Sequence, residues 1–339
     1  LLVHTELEHT TSKLRQIFEN LGFDVRSSED SMLRMPFSVE QLESITDPIR
    51  HELSVSEREE TRVVLVEGDE EPKTAELIGA KSLQDVLGQL SGRWLIDIIQ
   101  EKRLFTTFQP IVRAEQPSDI FGYECLLRGE DREGNTVNPG RIFQTAEEAD
   151  LVYQLDRRAR VLSVDNSQSY DIEPDQKIFI NFLPTSIYDP EYCLNTTMKA
   201  VQKADAVPEQ FVFEVVESEQ VEDRDKLVDI MSYYREKGFQ VALDDFGAGY
   251  SSLQMLSDMT PDVLKLDMGL VQNISENKMK AELCEQILNI SANHDITTLA
   301  EGIETREQLE WFQARNLDLA QGFLFSKPSV PPPECVDYS

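Results

Sequence analysis

Eight short apolar runs punctuate the chain after residue 104. They are FTTFQPIV (105–112), FGYECLLR (121–128), KIFINF (177–182), QFVFEVV (210–216), FQVALD (239–244), DVLKLD (262–267), ITTLAE (296–301) and LAQGF (319–323). Most are almost continuously apolar, as strands covered on both faces are. Between most of them lie stretches with helical spacing, such as RDKLVDIMSYYREKG (224–238) and MKAELCEQILNISANH (279–294). Eight runs with helices between them predict an α/β fold, a (β/α)8 barrel. Only the short polar segment EQPSD separates the first two runs. That spacing suits a hairpin, so the barrel is expected to start irregularly, with one antiparallel strand. The tail SKPSVPPPECVDYS is proline-rich and reads as extended chain, not as a further core element.

The first 92 residues read as a separate small α/β module. TELEHTTSKLRQIFENLG (5–22) has helical spacing and stops at Gly22, TRVVLVEG (61–68) reads as a strand, and a short helix is expected around 80 to 90. No chemistry stands out there, so the expectation is a regulatory or partner-binding module over 1–92. RWLIDIIQEKR (93–103) reads as an amphipathic helix that opens a barrel domain over 93–335.

Charge narrows the function. With 63 acidic against 32 basic residues, the formal net charge is −31. A nucleic-acid polymer needs basic patches, so such a partner is not expected. An anionic small substrate must then be drawn in by metal ions or a few placed cations. No run is long and apolar enough to span a membrane, no stretch reads as a signal peptide, and Leu1 in place of Met is what a piece of a longer chain shows. The four cysteines (125, 193, 284 and 335) have no metal-ligand spacing and read as free thiols of a cytoplasmic protein. Of the four histidines only His294 lies in the barrel region, which leaves no histidine-based site there.

The polar residues at the run ends carry the chemistry. They are Glu124, Asn181, Glu214, the adjacent Asp244 and Asp245, Lys265, Glu301 and Gln321. In a β/α barrel these ends converge on one face, where active sites lie. Any one of them is ordinary as a cap, but a polar group at nearly every strand end is not. Carboxylates, an amide and a lysine without histidine form a hard, oxygen-rich set suited to Mg2+ or Mn2+. Two such ions about 3.5–4 Å apart stabilise the attacking and leaving oxygens of a phosphodiester and acidify a bound water. Asp244 is the better bridging candidate, and Lys265 is placed to orient the water or stabilise charge on the phosphorane. GAGYSS (247–252) lacks a full G-x-G-x-x-G, and the aspartates at its mouth repel a bare pyrophosphate.

Over about residues 104 to 330 the sequence resembles the EAL family of cyclic-di-GMP phosphodiesterases. The signature triplet appears as ECL (124–126), with Cys125 where the family usually has alanine. FQPIV, NFLPTSI, FEVVE, DDFGAGYSSL, LKLD, AEGIE and QGFLFSKP match as well. The resemblance implies an irregular TIM barrel that opens cyclic-di-GMP with water to linear pGpG, using Mg2+ or Mn2+. It implies Glu124, Asn181, Glu214 and Asp244 on one metal and Asp244, Asp245 and Glu301 on the second. Lys265 and Gln321 would support the water and metal shell, Arg128 would pair with a substrate phosphate, and Gln109 would line the cleft. The loop from Phe246 to Ser252 resembles the family's sixth loop, which positions the second metal and contributes to a homodimer contact. Glu217 resembles the glutamate that anchors it, with Val216 where threonine is common. Degenerate members of the family bind without cleaving. The alternative is therefore a silent cyclic-di-GMP receptor, against which stands the presence of every implied ligand.

Overall fold

The computed structural model describes residues 1–338 apart from 28–31, 37, 38, 65, 67–72, 74–76, 78, 171, 184–189, 217–223, 249–251 and 337. Contacts divide the chain into two compact units, Leu1–Arg103 with Val137–Val152, and Leu104–Thr136 with Tyr153–Ser339.

Among the described residues the first unit holds a sheet of five short strands in the order Arg26–Ser27, Met32–Arg34, Leu2–His4, Arg62–Val64, Lys81–Ser82, every pair antiparallel. The expected first helix is Glu8–Asn20; it buries Thr10, Leu14, Ile17 and Phe18, one stripe at helical spacing. Gly22 follows at φ +85°, a conformation glycine adopts without strain. The expected strand at 61–68 is found at Arg62–Val64, and most of its remainder lies outside the described residues. The short helix is Leu83–Ser91, whose Ser82 cap accepts from the Asp85 amide at 3.0 Å. Helix Pro139–Glu148 packs in this unit, so close to Gly88 that a Cβ there would lie 1.6 Å from the Glu148 carbonyl oxygen.

In the second unit all eight apolar runs are strands. They are β1 (Leu104–Arg113), β2 (Ile120–Glu130), β3 (Lys177–Phe182), β4 (Phe211–Val216), β5 (Gln240–Phe246), β6 (Val263–Leu266), β7 (Thr297–Ala300) and β8 (Leu319–Gln321). β1 is antiparallel to β2, with Gln109 opposite Glu124, and also to β8, with Ile111 opposite Gln321. All other neighbours are parallel, so the eight strands close into a barrel whose first strand runs against the rest.

Alternation along the strands sorts the side chains. One set packs outward, including Ile178, Ile180, Phe213, Val215, Val241 and Leu243. The other fills the interior with Ile111, Phe179, Val212, Ala242, Val263, Leu299 and Leu319. Two residues further along β3 to β8, on the same face, come Asn181, Glu214, Asp244, Lys265, Glu301 and Gln321. β1 runs the other way, so its corresponding residue, Gln109, precedes Ile111 by two. An apolar plug thus carries a polar layer.

The proline-rich tail is extended but attached. Ser329 exchanges backbone hydrogen bonds with Phe108, Tyr123 Oη donates to the Pro333 carbonyl at 2.9 Å, and Val336 and Tyr338 pack on the main core. As expected it adds no core element; unpaired β1 backbone and apolar surface outside the barrel give it a seat.

Candidate active site

Two adjacent aspartates on a regular strand point to opposite faces. Here the pairing of β5 with β6 shifts register between Leu243 and Phe246, and Asp245 takes φ +54°. Such an irregularity re-aims side chains. As a result Asp244 and Asp245 line one cleft, and the Asp245 amide donates to Asp244 Oδ1 at 2.9 Å. Gly247, at φ +101°, follows; a Cβ there would sit 2.4 Å from Leu270 Cδ1.

The cleft measures about 360 Å³ and is lined by Gln109, Glu124, Asp244, Asp245, Glu301 and Gln321 together with Asp267, Met268, Gly302, Glu304, Gly322 and Phe323. Glu214 and Lys265, both fully buried, are not among its lining residues. Lys265 Nζ is 2.6 Å from Glu214 Oε1, 2.7 Å from Glu301 Oε1 and 2.9 Å from Asp244 Oδ1. At these distances opposite charge holds the group together. Glu124 is fixed differently: Asn181 Nδ2 donates to one oxygen at 3.1 Å and Gln321 Nε2 to the other at 2.6 Å. Gln109 Nε2 reaches the Ser326 carbonyl at 3.4 Å. Arg128 is half-buried and donates to the Leu127 carbonyl at 2.9 Å. It is not among the cleft-lining residues, although it feels the charge of Glu124. Glu217 and residues 249–251 of the sixth loop lie outside the described residues.

The titration behaviour follows from crowding. Burial, partly offset by Lys265, pushes Glu214 well above the usual carboxylate range. Burial and then Asp244 lift Asp245 to about 6. Burial, opposed by Lys265, lifts half-buried Glu301 to about 8. Burial alone lowers the pKa of Lys265, but the charges of Asp244, Glu124, Glu214 and Glu301 outweigh it and hold the ammonium well above its ordinary value. Five carboxylates against one ammonium leave this cluster short of positive charge.

The residues fit a divalent cation. Carboxylate oxygens of Asp244, Asp245 and Glu301 lie within 4.8 Å of one another. Glu214 Oε2 and Gln321 Oε1 are buried without a hydrogen bond. Hard oxygen donors of this kind suit Mg2+ or Mn2+.

Sequence reasoning did not single out Asp267, Met268, Glu304 or Phe323. A signal existed: Asp267 and Phe323 stand two residues beyond Lys265 and Gln321, where alternation returns a side chain to the same face.

The family model of the EAL domain matches residues 93–328. The chain is 30% identical over 234 residues to the probable cyclic di-GMP phosphodiesterase PdeB of Escherichia coli (strain K12), a stretch covering 69% of this chain and 44% of that protein. The chain thus spans less than half the length of this curated relative. Among solved structures, a standalone EAL protein from Vibrio cholerae O395 in its c-di-GMP bound form is similar with a TM-score of 0.62 and 34% identity, covering 69% of this chain and 95% of that one. Klebsiella pneumoniae BlrP1, in a manganese and cyclic-di-GMP complex, is similar with a TM-score of 0.60 and 25% identity, covering 78% of this chain and 72% of that one.

Proposed function

The chain belongs to the EAL domain family, and from that premise we propose that its barrel hydrolyses one phosphodiester of cyclic-di-GMP with water, giving linear pGpG. The observation that carries this reading is the ring of strand-end carboxylates closing on Lys265, with Glu214 Oε2 and Gln321 Oε1 buried and still lacking a partner. Glu124, Asn181, Glu214 and Asp244 would hold one Mg2+ or Mn2+, and Asp244, Asp245 and Glu301 the second. When bound, such ions supply Lewis-acid charge at the phosphate oxygens and acidify a water.

The chain's own groups do the rest. Lys265 keeps Glu214, Asp244 and Glu301 convergent and sets a fixed positive charge beneath the cleft. Asn181 and Gln321 hold both oxygens of Glu124, so its carboxylate cannot swing away. Arg128, at the end of β2, pairs with a substrate phosphate on reorienting from the Leu127 carbonyl, and Gln109 contacts substrate from the cleft wall. Glu217 anchors the sixth loop and through it Asp245.

No helix among the described residues is long and apolar enough to cross a membrane. We place the protein in the cytoplasm, as a homodimer through the sixth-loop region, with residues 1–92 as a module that tunes the barrel or binds a partner.

Incubation with cyclic-di-GMP and Mg2+ or Mn2+, with chromatography of the product, tests the reading. Appearance of pGpG that stops in excess chelator supports it. Undiminished cleavage in chelator refutes the metal mechanism. Tight binding without turnover makes the protein a receptor instead.

A further inference from the structure

Unpaired charges of opposite sign around one cavity call for a ligand that carries both. Such a cavity, of about 380 Å³, lies within the first unit. Helix Val39–Glu52 lines it with Asp47 and Arg50, helices Leu83–Ser91 and Arg93–Gln100 with Leu90 and Trp94, and helix Pro139–Glu148 with Arg141 and Glu148. Glycines fix its walls. Besides the contact at Gly88, a Cβ on Gly92 would lie 2.4 Å from Ala149 Cβ, so the helices that bear Trp94 and Arg141 meet at their closest approach. Arg50 pairs with Glu148, and Gln144 Nε2 donates to the second Glu148 oxygen at 3.0 Å, so these two charges cancel. Asp47 and Arg141 are left over. Among the described residues neither has an ion pair or a side-chain hydrogen bond, although acids outnumber bases 63 to 32 along the chain. Arg141 Cζ lies 4.9 Å from the centre of the Trp94 ring. A guanidinium held over a ring keeps the N–H donors of its edge, and that fork fits a carboxylate. One turn along the same helix, buried Thr145 also lines the cavity, and its hydroxyl has no hydrogen bond among the described residues.

We propose that this cavity binds a free α-amino acid with an apolar side chain. The ligand carboxylate takes the edge of Arg141 and the Thr145 hydroxyl, its ammonium faces Asp47, and its side chain covers Leu90 and the Trp94 indole. The charge pattern decides the class. A simple anion meets Asp47 and Glu148, and a simple cation meets Arg50 and Arg141. A zwitterion satisfies the one unpaired charge of each sign and leaves the Arg50–Glu148 pair in place. The cavity is of the size that small-molecule sites have, and walls set by close helix contacts lose little freedom on binding. The inference is independent of the phosphodiesterase reading and gives a ligand to the unit in which the sequence showed no chemistry.

Trp94 and Trp311 are the two tryptophans of the chain, so Trp311→Phe leaves Trp94 as the reporter. Its emission is followed while the whole chain is titrated with L-leucine, L-methionine or L-phenylalanine, and calorimetry on the unaltered chain repeats the measurement without any substitution. At least one of the three should bind saturably, with a dissociation constant on the order of 1 mM or tighter. Leucine methyl ester, which lacks the carboxylate, and isocaproate, which lacks the ammonium, should each bind about tenfold more weakly than leucine. Arg141→Gln and Asp47→Asn should each weaken leucine binding by about the same factor. The variants should also differ in kind: Arg141→Gln should no longer tell leucine from its ester, and Asp47→Asn should no longer tell leucine from isocaproate. A cavity that only holds helices together would not show that crossed pattern. No saturable response to any of the three amino acids overturns the proposal. Ester and isocaproate that bind as tightly as leucine overturn it as well, as does leucine affinity unchanged in both variants.

Discussion

Replacing Lys265 by methionine would show what the buried ammonium does. Methionine keeps most of the length and volume, so the change isolates charge from packing. Lys265 is fully buried, as is Glu214, and three carboxylate oxygens lie within 2.9 Å of Nζ. Removing one partner of a buried ion pair costs about 3–5 kcal/mol, because the other charge stays behind uncompensated. A domain of 150–250 residues loses about 2–4 °C of Tm per kcal/mol. Metal-free Lys265→Met should therefore melt roughly 6–20 °C below the unaltered protein at pH 8.5. The sign of the pH effect follows from the carboxylates. Their folded pKa values already exceed the unfolded ones, and losing the lysine raises them further. Stability from a raised carboxylate is complete below its unfolded pKa and drains away as pH rises through the folded one. The deficit should thus shrink toward pH 5, where protons do the work of the ammonium. Mn2+ at a hundred times its dissociation constant should return about 2.7 kcal/mol, since it binds only the folded site. Thermal melts at pH 5, 7 and 8.5, with Mn2+ and with chelator, give the comparison. A variant that melts with the unaltered protein at pH 8.5 in chelator would refute the assignment of Lys265 as the countercharge.

Three further outcomes are expected. In the unaltered metal-free protein, Asp245 at about 6 and Glu301 at about 8 predict that Tm falls between pH 5 and 8.5, while Mn2+ affinity rises over the same range as protons leave the site; a flat Mn2+ affinity would count against these groups as ligands. Glu124→Ala should abolish turnover and weaken Mn2+ binding outright, whereas Glu217→Ala should cut activity steeply yet leave cyclic-di-GMP binding largely intact, with Glu217→Gln milder; kinetics and calorimetry on the three variants separate ligand from anchor. A chain starting near Ser91 should still show the circular dichroism of a folded barrel, but with a lower Tm, because it strips helix Leu83–Ser91 from helix Pro139–Glu148.

The barrel was legible because burial on both faces writes itself as apolar runs. All eight runs became strands, and the five-residue EQPSD segment between the first two marked the antiparallel start. Helix Val152–Ser169 was not read, for a physical reason. The face it buries carries Asp156, Arg160, Ser163 and Ser167 beside Leu155 and Val164, so no apolar stripe announces it. Arg160 satisfies that burial through Asp156 one turn back, at 2.8 and 3.0 Å, and through the Thr197 hydroxyl at 3.0 Å, a partner distant in sequence. Helix Val39–Glu52 was hidden by Pro48, which breaks the amide ladder. Burial of Ile45, Ile49 and Leu53 in the first unit's core outweighs that loss, a tertiary effect that no local reading contains.

At the site the residue types were legible and their partners were not. Alternation alone explains why a polar side chain stands two positions beyond each apolar plug residue, and the sequence shows that spacing on β3 to β8. It does not show which strand end meets which, since that depends on the stagger around the closed barrel. The consequence appears at Lys265. Read alone, it is one cation near a strand end, available to a water or a phosphate. In the fold it is fully buried against carboxylates from β4, from β5 and from the residue after β7, and a proton or a divalent ion is the species that can share its task. The same closure brings Gln321 of β8 onto Glu124 of β2, on either side of antiparallel β1. The reversed first strand is therefore more than an irregularity of the barrel. With β1 between them, Glu124 and Gln321 are held in hydrogen-bond reach, and the carboxylate of the signature triplet is fixed before any ion arrives.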